Sequence, residues 1–519
     1  MLLVRRRTIF LFLTIVLFIA TFGNVSTGHA AQTIRIYLDG KLIQTDVAPY
    51  IVPKANVTMV PLRVISENLK ASVGWKQSTS TATITKGDLK LSLKVGQNYA
   101  LVNDKQVKLE STVQIKNGRA MVPLRFVSEQ LGLLVTWYQA TSTIKLTSKD
   151  RVSQLRGAWI STVYNLDWPS AQSYGNAELQ KQEFSTQLDE LQAMGLNAVF
   201  VQVRPSADAL YPSKLVPWSK VFTGAQGTDP GYDPLAYMVE ETHRRGMEFH
   251  AWFNPFRANT SPNIDGLAAN HVAVAKPDWI VRAGNALYIN PGVPVARQHI
   301  IDTIMEVVRG YEVDGVHLDD YFYPSNEKFD DAAAFAAYNP SKIVDLGDWR
   351  RDNINQFVKK LGEAIHAAKP SVSYGISPFG VWRNIATDPT GSDTKAGAET
   401  YDDMYADVRK WIQEEWIDYV MPQIYWSLSL SVARYDKLVD WWTNEVRGTK
   451  VALYIGHAAY KLDTKETGWQ TGEEIINQLK YNEKYAEIGG DVYFRSANLR
   501  ANTLGIADLL KTYYKVKAN

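Results

Sequence analysis

Cysteine is absent from all 519 residues, which excludes a disulfide framework, a thiol nucleophile, a thiolate zinc site and lipid attachment through cysteine. Charge of one sign is scarce as well. With 56 Lys and Arg against 54 Asp and Glu, the whole-chain net charge of +2 offers no electrostatic reason to expect a nucleic-acid partner or an anionic membrane surface. No apolar stretch after Phe22 matches the run from Thr8 to Phe22, so no integral membrane segment is expected beyond the leader. There is no G-x-G-x-x-G after a strand, no Walker sequence, no G-x-S-x-G and no H-E-x-x-H, so nucleotide cofactors, serine-hydrolase chemistry and a histidine-held zinc are not indicated. No cofactor and no metal are expected.

What is present begins with an export signal. Arg5, Arg6 and Arg7 precede the apolar run, and Gly28-His29-Ala30 supplies small residues where a signal peptidase cuts, so residues 1–30 read as a signal peptide. The expected location is secreted or cell-wall associated, and export without cysteine fits a Gram-positive bacterial surface. A hydrophobic share of 45% and a charged share of 21% describe a globular protein long enough for more than one domain.

Residues 32–148 carry a duplication. Met59-Val60-Pro61-Leu62-Arg63 and Trp75 recur 62 positions later as Met121-Val122-Pro123-Leu124-Arg125 and Trp137, and a Thr-rich strand follows each Trp. The repeat predicts two turn, short-helix and β-pair units that together bury a face neither buries alone. The segment resembles the copper amine oxidase N-terminal-like domain. That resemblance does not carry copper, because no histidine lies between Ala31 and Lys149. A spacer or cell-wall association through this domain is the expected use.

From residue 151 to 517, short apolar runs alternate with helical periods. The runs are Leu155 to Ser161, Ala198 to Val203, Glu248 to Asn254, Asp314 to Leu318, Val372 to Ser377, Tyr419 to Tyr425, Val451 to Gly456 and Asp491 to Phe494. Eight such units, with long strand-to-helix and short helix-to-strand connections, predict an α/β fold: a (β/α)8 TIM barrel behind a smaller N-terminal α+β repeat domain. Active sites of such barrels form at the carboxyl ends of the strands.

The densest of those ends is Asp314 to Pro324, DGVHLDDYFYP, where a buried strand runs into Asp319 and Asp320. These are the expected catalytic carboxylates. Because side chains alternate along a strand, His317 and Asp319 share a side, which favours Asp319 as nucleophile or electrostatic carboxylate and leaves Asp320 an acid or supporting role. The other ends supply candidate substrate-binding residues: Arg204, Asn254, Arg257, His317, Tyr321, Tyr323, Trp382, Arg383, Gln423, Tyr425, Trp426 and Arg495. Amides, arginines and aromatic rings around paired acids suit a sugar cleft, with hydroxyls hydrogen-bonded and ring faces stacked. A second acid is less evident. Asp402 and Asp403 are possible, at the end of a Thr387 to Thr400 loop that could fold over the site as a lid.

Several motifs in barrel order, RGAWIST at Arg156, WFNPFR at Trp252, DGVHLDDYFYP, SPFGVWRN at Ser377 and DYVMPQIYW at Asp418, resemble glycosyl hydrolase-like family 10. The resemblance implies a glycosidase acting on cell-wall polysaccharide, with peptide-free peptidoglycan strands as substrate. The alternatives left open are a non-catalytic carbohydrate-binding surface protein and a hydrolase of another exopolysaccharide.

Overall fold

The computed structural model describes residues 34–517 apart from 39–40, 54, 56, 69–70, 88, 139–141, 149–153 and 320–321. The leader expected over residues 1–30 lies outside these residues, and so do Asp320 and Tyr321.

The duplication is visible as an internal pairing. Val57–Pro61 and Arg119–Pro123, the two MVP strands, lie antiparallel with Val60 opposite Val122, and each runs straight into a short helix, Leu62–Asn68 or Leu124–Gln130. Met59, Val60, Met121 and Val122 have no exposed surface, so the repeated motif is a buried seam. Five further strands, Ser72–Lys76, Thr81–Lys86, Leu89–Lys94, Tyr99–Val102 and Lys105–Lys108, form an antiparallel meander.

The second domain is a closed parallel barrel of eight strands. These are β1 (Leu155–Ile160), β2 (Ala198–Arg204), β3 (Glu248–Phe253), β4 (Gly315–Leu318), β5 (Ser373–Ile376), β6 (Tyr419–Val420), β7 (Ala452–Ala458) and β8 (Ile488–Phe494), with Gly157 of β1 opposite Val492 of β8 closing the ring. Each strand is followed by a helix: α1 (Ala177–Ala193), α2 (Pro234–Arg244), α3 (Pro294–Gly310), α4 (Leu346–Ala368), α5 (Val408–Gln413), α6 (Tyr435–Val446), α7 (Glu473–Asn482) and α8 (Ile506–Lys517). Helix starts follow from local chemistry. Asn176, Asp233, Asp345 and Asp407 each accept a hydrogen bond from a backbone N–H of the first turn of the helix that follows.

β6 is shorter than its apolar run because Pro422 has no N–H to donate; Gln423 rejoins its neighbours as isolated bridges to Phe379 and Gly456. Alternation along the strands sends Val316 and Leu318 outward under the helices, while Trp159, Phe200, Trp252, Tyr419 and Val492 fill the barrel. Small residues make room for these rings. A Cβ at Gly315 would lie 2.2 Å from the His250 ring and one at Gly375 equally close to Tyr419, so both positions exclude any side chain. No helix among the described residues is long and apolar enough to cross a membrane.

Candidate active site

The site is assembled above this plug of rings. His317 has no exposed surface; its Nε2 accepts from Trp159 Nε1 at 3.1 Å and its Nδ1 lies 3.1 Å from the Tyr419 hydroxyl. The ring is therefore a neutral imidazole with its proton on Nδ1, and burial, with His250 nearby, holds its pKa well below the usual range. Expected in the cleft, His317 is instead a strut between β1, β4 and β6.

Asp319 follows directly, buried at the mouth of the barrel, and its Oδ2 accepts from Asn254 Nδ2 at the end of β3. Asn254 in turn accepts from Gln202 Nε2 on β2. Gln202 Oε1 accepts from the backbone N–H groups of Thr162 and Val163, both at 2.9 Å, and from Ser161 Oγ at 3.2 Å. A directed amide chain thus runs from the end of β1 through β2 and β3 and delivers an N–H to Asp319. Gln202 was legible as a strand end, but only the geometry gives it this position.

The four candidate arginines are all engaged within the protein. Arg204 is fully buried and donates to the carbonyls of Asn254 (2.8 Å) and Pro255 (3.0 Å), which makes it a brace for the Asn254 backbone rather than a substrate contact. Burial pushes its guanidinium down to about 10, against the pull of Tyr211 and Asp208, so it stays charged at neutral pH. Arg383 clamps Asp402 with two 2.6 Å bonds and also reaches Asp388. Arg495 pairs with Asp167, tying the β8 loop to the β1 loop; burial raises the Asp167 pKa against the pull of Arg495. Arg257 donates from Nε to the Pro205 carbonyl at 2.9 Å, and its buried Nη2 has no hydrogen-bond partner among the described residues.

Both expected second acids are engaged within the protein. Asp402 is held by Arg383, and Asp403 accepts from the Glu399 N–H at 2.6 Å ahead of the helical turn Thr400–Asp403. The loop expected to act as a lid is pinned at both ends: Asn384 and Thr387 bond Glu399, and Ser392 and Thr394 bond back to Arg383 and Asn384.

Two aromatic candidates also leave the cleft. Tyr323 is buried between Phe329 and Tyr405, with ring centroids 4.9 and 5.2 Å away, and Trp382 stacks on Trp441 at 5.7 Å. Tyr425, Trp426 and Gln423 remain partly exposed. Tyr425 packs against Tyr460 and Phe494 at 5.7 and 6.0 Å, and Trp426 stands perpendicular to Phe379 at 5.5 Å, forming a wall of rings across the ends of β5 to β8. Tyr460 is 40% exposed.

Opposite that wall, an excursion after β3 brings in residues that strand-end reasoning passed over. Tyr288, on the strand Ala286–Ile289, has its phenol pKa raised by burial and by Glu327 and Asp319, against Arg257. The phenol therefore sits in the field of two carboxylates. Glu327 is an exposed residue in the loop after β4, where an acid between loop residues carries no periodic signal.

A parallel eight-stranded barrel with an oriented carboxylate at its mouth and an aromatic wall beside it defines a barrel glycoside hydrolase. The family model Glycosyl hydrolase-like 10 matches residues 154–471, and the chain belongs to that family; residues 37–146 match the Copper amine oxidase N-terminal domain. The chain is 51% identical over 364 residues to Glycosyl hydrolase YngK of Bacillus subtilis (strain 168), covering 69% of this chain and 71% of that protein. It is 41% identical over 372 residues to Glycosyl hydrolase DigH of Escherichia coli (strain K12), covering 67% of this chain and 84% of the relative. Among solved structures, the PgaB glycoside hydrolase domain from Bordetella bronchiseptica matches with a TM-score of 0.48 at 12% identity, over 69% of this chain and 98% of that one. The chain is thus an enzyme, a glycosidase.

Proposed function

We propose that this is an exported glycosidase that cleaves cell-wall glycan, with peptide-free peptidoglycan strands as substrate and Asp319 as nucleophile or electrostatic carboxylate. The observation that carries the reading is the Gln202–Asn254–Asp319 chain, which presents one oriented carboxylate at the barrel mouth. An N–H donor to a carboxylate favours its charged form, as stabilisation of an oxocarbenium-like transition state requires. The wall of Tyr425, Tyr460 and Phe494 offers ring faces for sugars. The second carboxylate is Asp320 or Glu327, and the N-terminal domain associates with the wall.

The test is release of reducing ends from purified glycan strands freed of peptide. Asp319→Asn should fold normally and lose nearly all activity. Of Asp320→Asn and Glu327→Gln, the one that removes the general acid should cleave glycosides of good leaving groups far better than the natural polymer. Full activity in Asp319→Asn rejects the assignment.

A further inference from the structure

The small net charge of the whole chain conceals a division. Residues 32–148 hold 15 Lys and Arg against 7 Asp and Glu, a net of +8, while residues 151–519 hold 37 against 46, a net of −9. Part of the basic excess lies in one sheet. None of the five strands of the antiparallel meander contains Asp or Glu, and together they contain six lysines.

Register shows where four of these lysines point. Lys76 lies opposite Thr81, Thr81 opposite Lys94, and Tyr99 opposite Lys108; Lys94 and Tyr99 are the next positions beyond the Leu93 and Ala100 pair. Directly opposite residues share a face, so one row crosses all five strands as Lys76, Thr81, Lys94, Tyr99 and Lys108. Four positions along, Ser72, Thr85 and Lys90 form a parallel row on the same face. The opposite face is the domain core, where Ala82, Ile84, Leu91 and Leu93 are buried. At about 4.8 Å between strands, the lysines of the first row recur about every 10 Å.

All four lysines are exposed, and none forms an ion pair with another described residue. A face that served only solubility would mix both signs. This one presents a single sign at regular spacing, interleaved with hydroxyls that can serve anionic oxygens. We propose that this sheet face is a binding site for an extended anionic glycan, carrying carboxylates along its length, which it holds while the barrel works on the same polymer. The identity of the polymer rests on the function proposed above. The division of charge supplies the reason for the site: a barrel of net −9 repels a polyanion, so a basic surface on the same chain keeps enzyme and substrate together.

The experiment uses the full chain carrying Asp319→Asn, so that bound polymer survives. Co-sedimentation with peptide-free peptidoglycan strands is measured at low and high salt, beside the same strands with carboxyls amidated, duplex DNA and anionic phospholipid vesicles. Retention of native strands should fall steeply with salt, because attraction between exposed lysines and carboxylates is screened as the Debye length shrinks from about 30 Å at about 0.01 M to about 3 Å at about 1 M. It should be lost on amidation, and it should weaken about tenfold or more when Lys76, Lys94 and Lys108 are all changed to Gln. With Asp319 intact, the triple variant should keep its activity on short soluble fragments and lose it on long strands. Equal binding by the triple variant or of amidated strands overturns the site, and tighter retention of DNA or vesicles overturns its assignment to glycan. Cleavage without lysine-dependent binding removes this inference and leaves the activity standing. Lysine-dependent binding without cleavage upholds the face and rejects the activity.

Discussion

Gln202 settles which way Asn254 faces. Two backbone N–H groups point at its oxygen, so its amide nitrogen must turn to Asn254, and Asn254 must then present its own nitrogen to Asp319. Replacing Gln202 with Glu sets a carboxylate against those N–H groups but leaves Asn254 Oδ1 facing a second acceptor. The expected outcome is a fall in kcat of about tenfold to a hundredfold with little change in KM, in line with about 1–3 kcal/mol for a buried polar group left unpaired. Gln202→Leu should cost less than Asn254→Leu, which removes the Asn254 N–H from Asp319. Steady-state kinetics on one soluble glycan would order the three. At this scale the sequence names which residues lie at strand ends but not which way each points. Asp319 was legible because alternation puts it on the His317 side. Tyr323 and Trp382 were misplaced because an aromatic just past a strand packs as readily under a loop as into a cleft. Asp402 was visible as an acid, but its partner Arg383 is 19 residues away and no local pattern joins them.

Among the elements, alternate strands are joined at their amino ends by one repeated device. Asn197, Asp314 and Asp418 each stand one position before an even strand, β2, β4 or β6. Each accepts a backbone N–H from the second residue of the preceding strand: Arg156 at 2.7 Å, Phe249 at 2.8 Å and Tyr374 at 2.7 Å. Asp314 and Asp418 also meet a histidine from the helix that leads into that preceding strand, His243 of α2 at 2.7 Å and His366 of α4 at 2.8 Å. Asp314→Ala leaves the Phe249 N–H without that acceptor at a cost of about 1–3 kcal/mol, which for a domain of this size lowers Tm by about 1–4 °C. Asp314→Ala and Asp418→Ala involve separate strand pairs, so their effects should add; thermal unfolding of the two single variants and the double variant checks both points. The eight strands were legible for the reason that makes these joints possible. Parallel strands covered on both sides read as continuous apolar runs, and a polar residue just before one marks where it leaves the loop. What the runs could not convey was length where a proline intervenes, as at β6, or that the Thr387 to Thr400 loop is fastened rather than free.

Among the described residues the apolar core of each domain falls into two clusters, and no cluster draws on both domains. The domains also differ in what can titrate. Residues 32–148 contain no histidine, whereas the barrel contains seven. Burial lowers the pKa of three of these, His271, His299 and His317, with His299 brought to about 4. A histidine whose folded pKa is depressed binds fewer protons than in the unfolded chain, so the stability it contributes is complete above its unfolded value of 6.5 and is lost as pH falls toward the folded value. The barrel should therefore lose stability between about pH 6.5 and 4, while the N-terminal domain, with no histidine to protonate, changes little above the carboxylate range. Calorimetry of the full chain should resolve two transitions at neutral pH, and lowering the pH to about 5 should move the barrel's transition down while leaving the other nearly in place. In His299→Gln, whose side chain lies partly at the surface beside Trp279, part of that downward shift should disappear with the fold intact. If both transitions move together, the two domains unfold as one cooperative unit, and the basic sheet is then coupled to the stability of the barrel it serves.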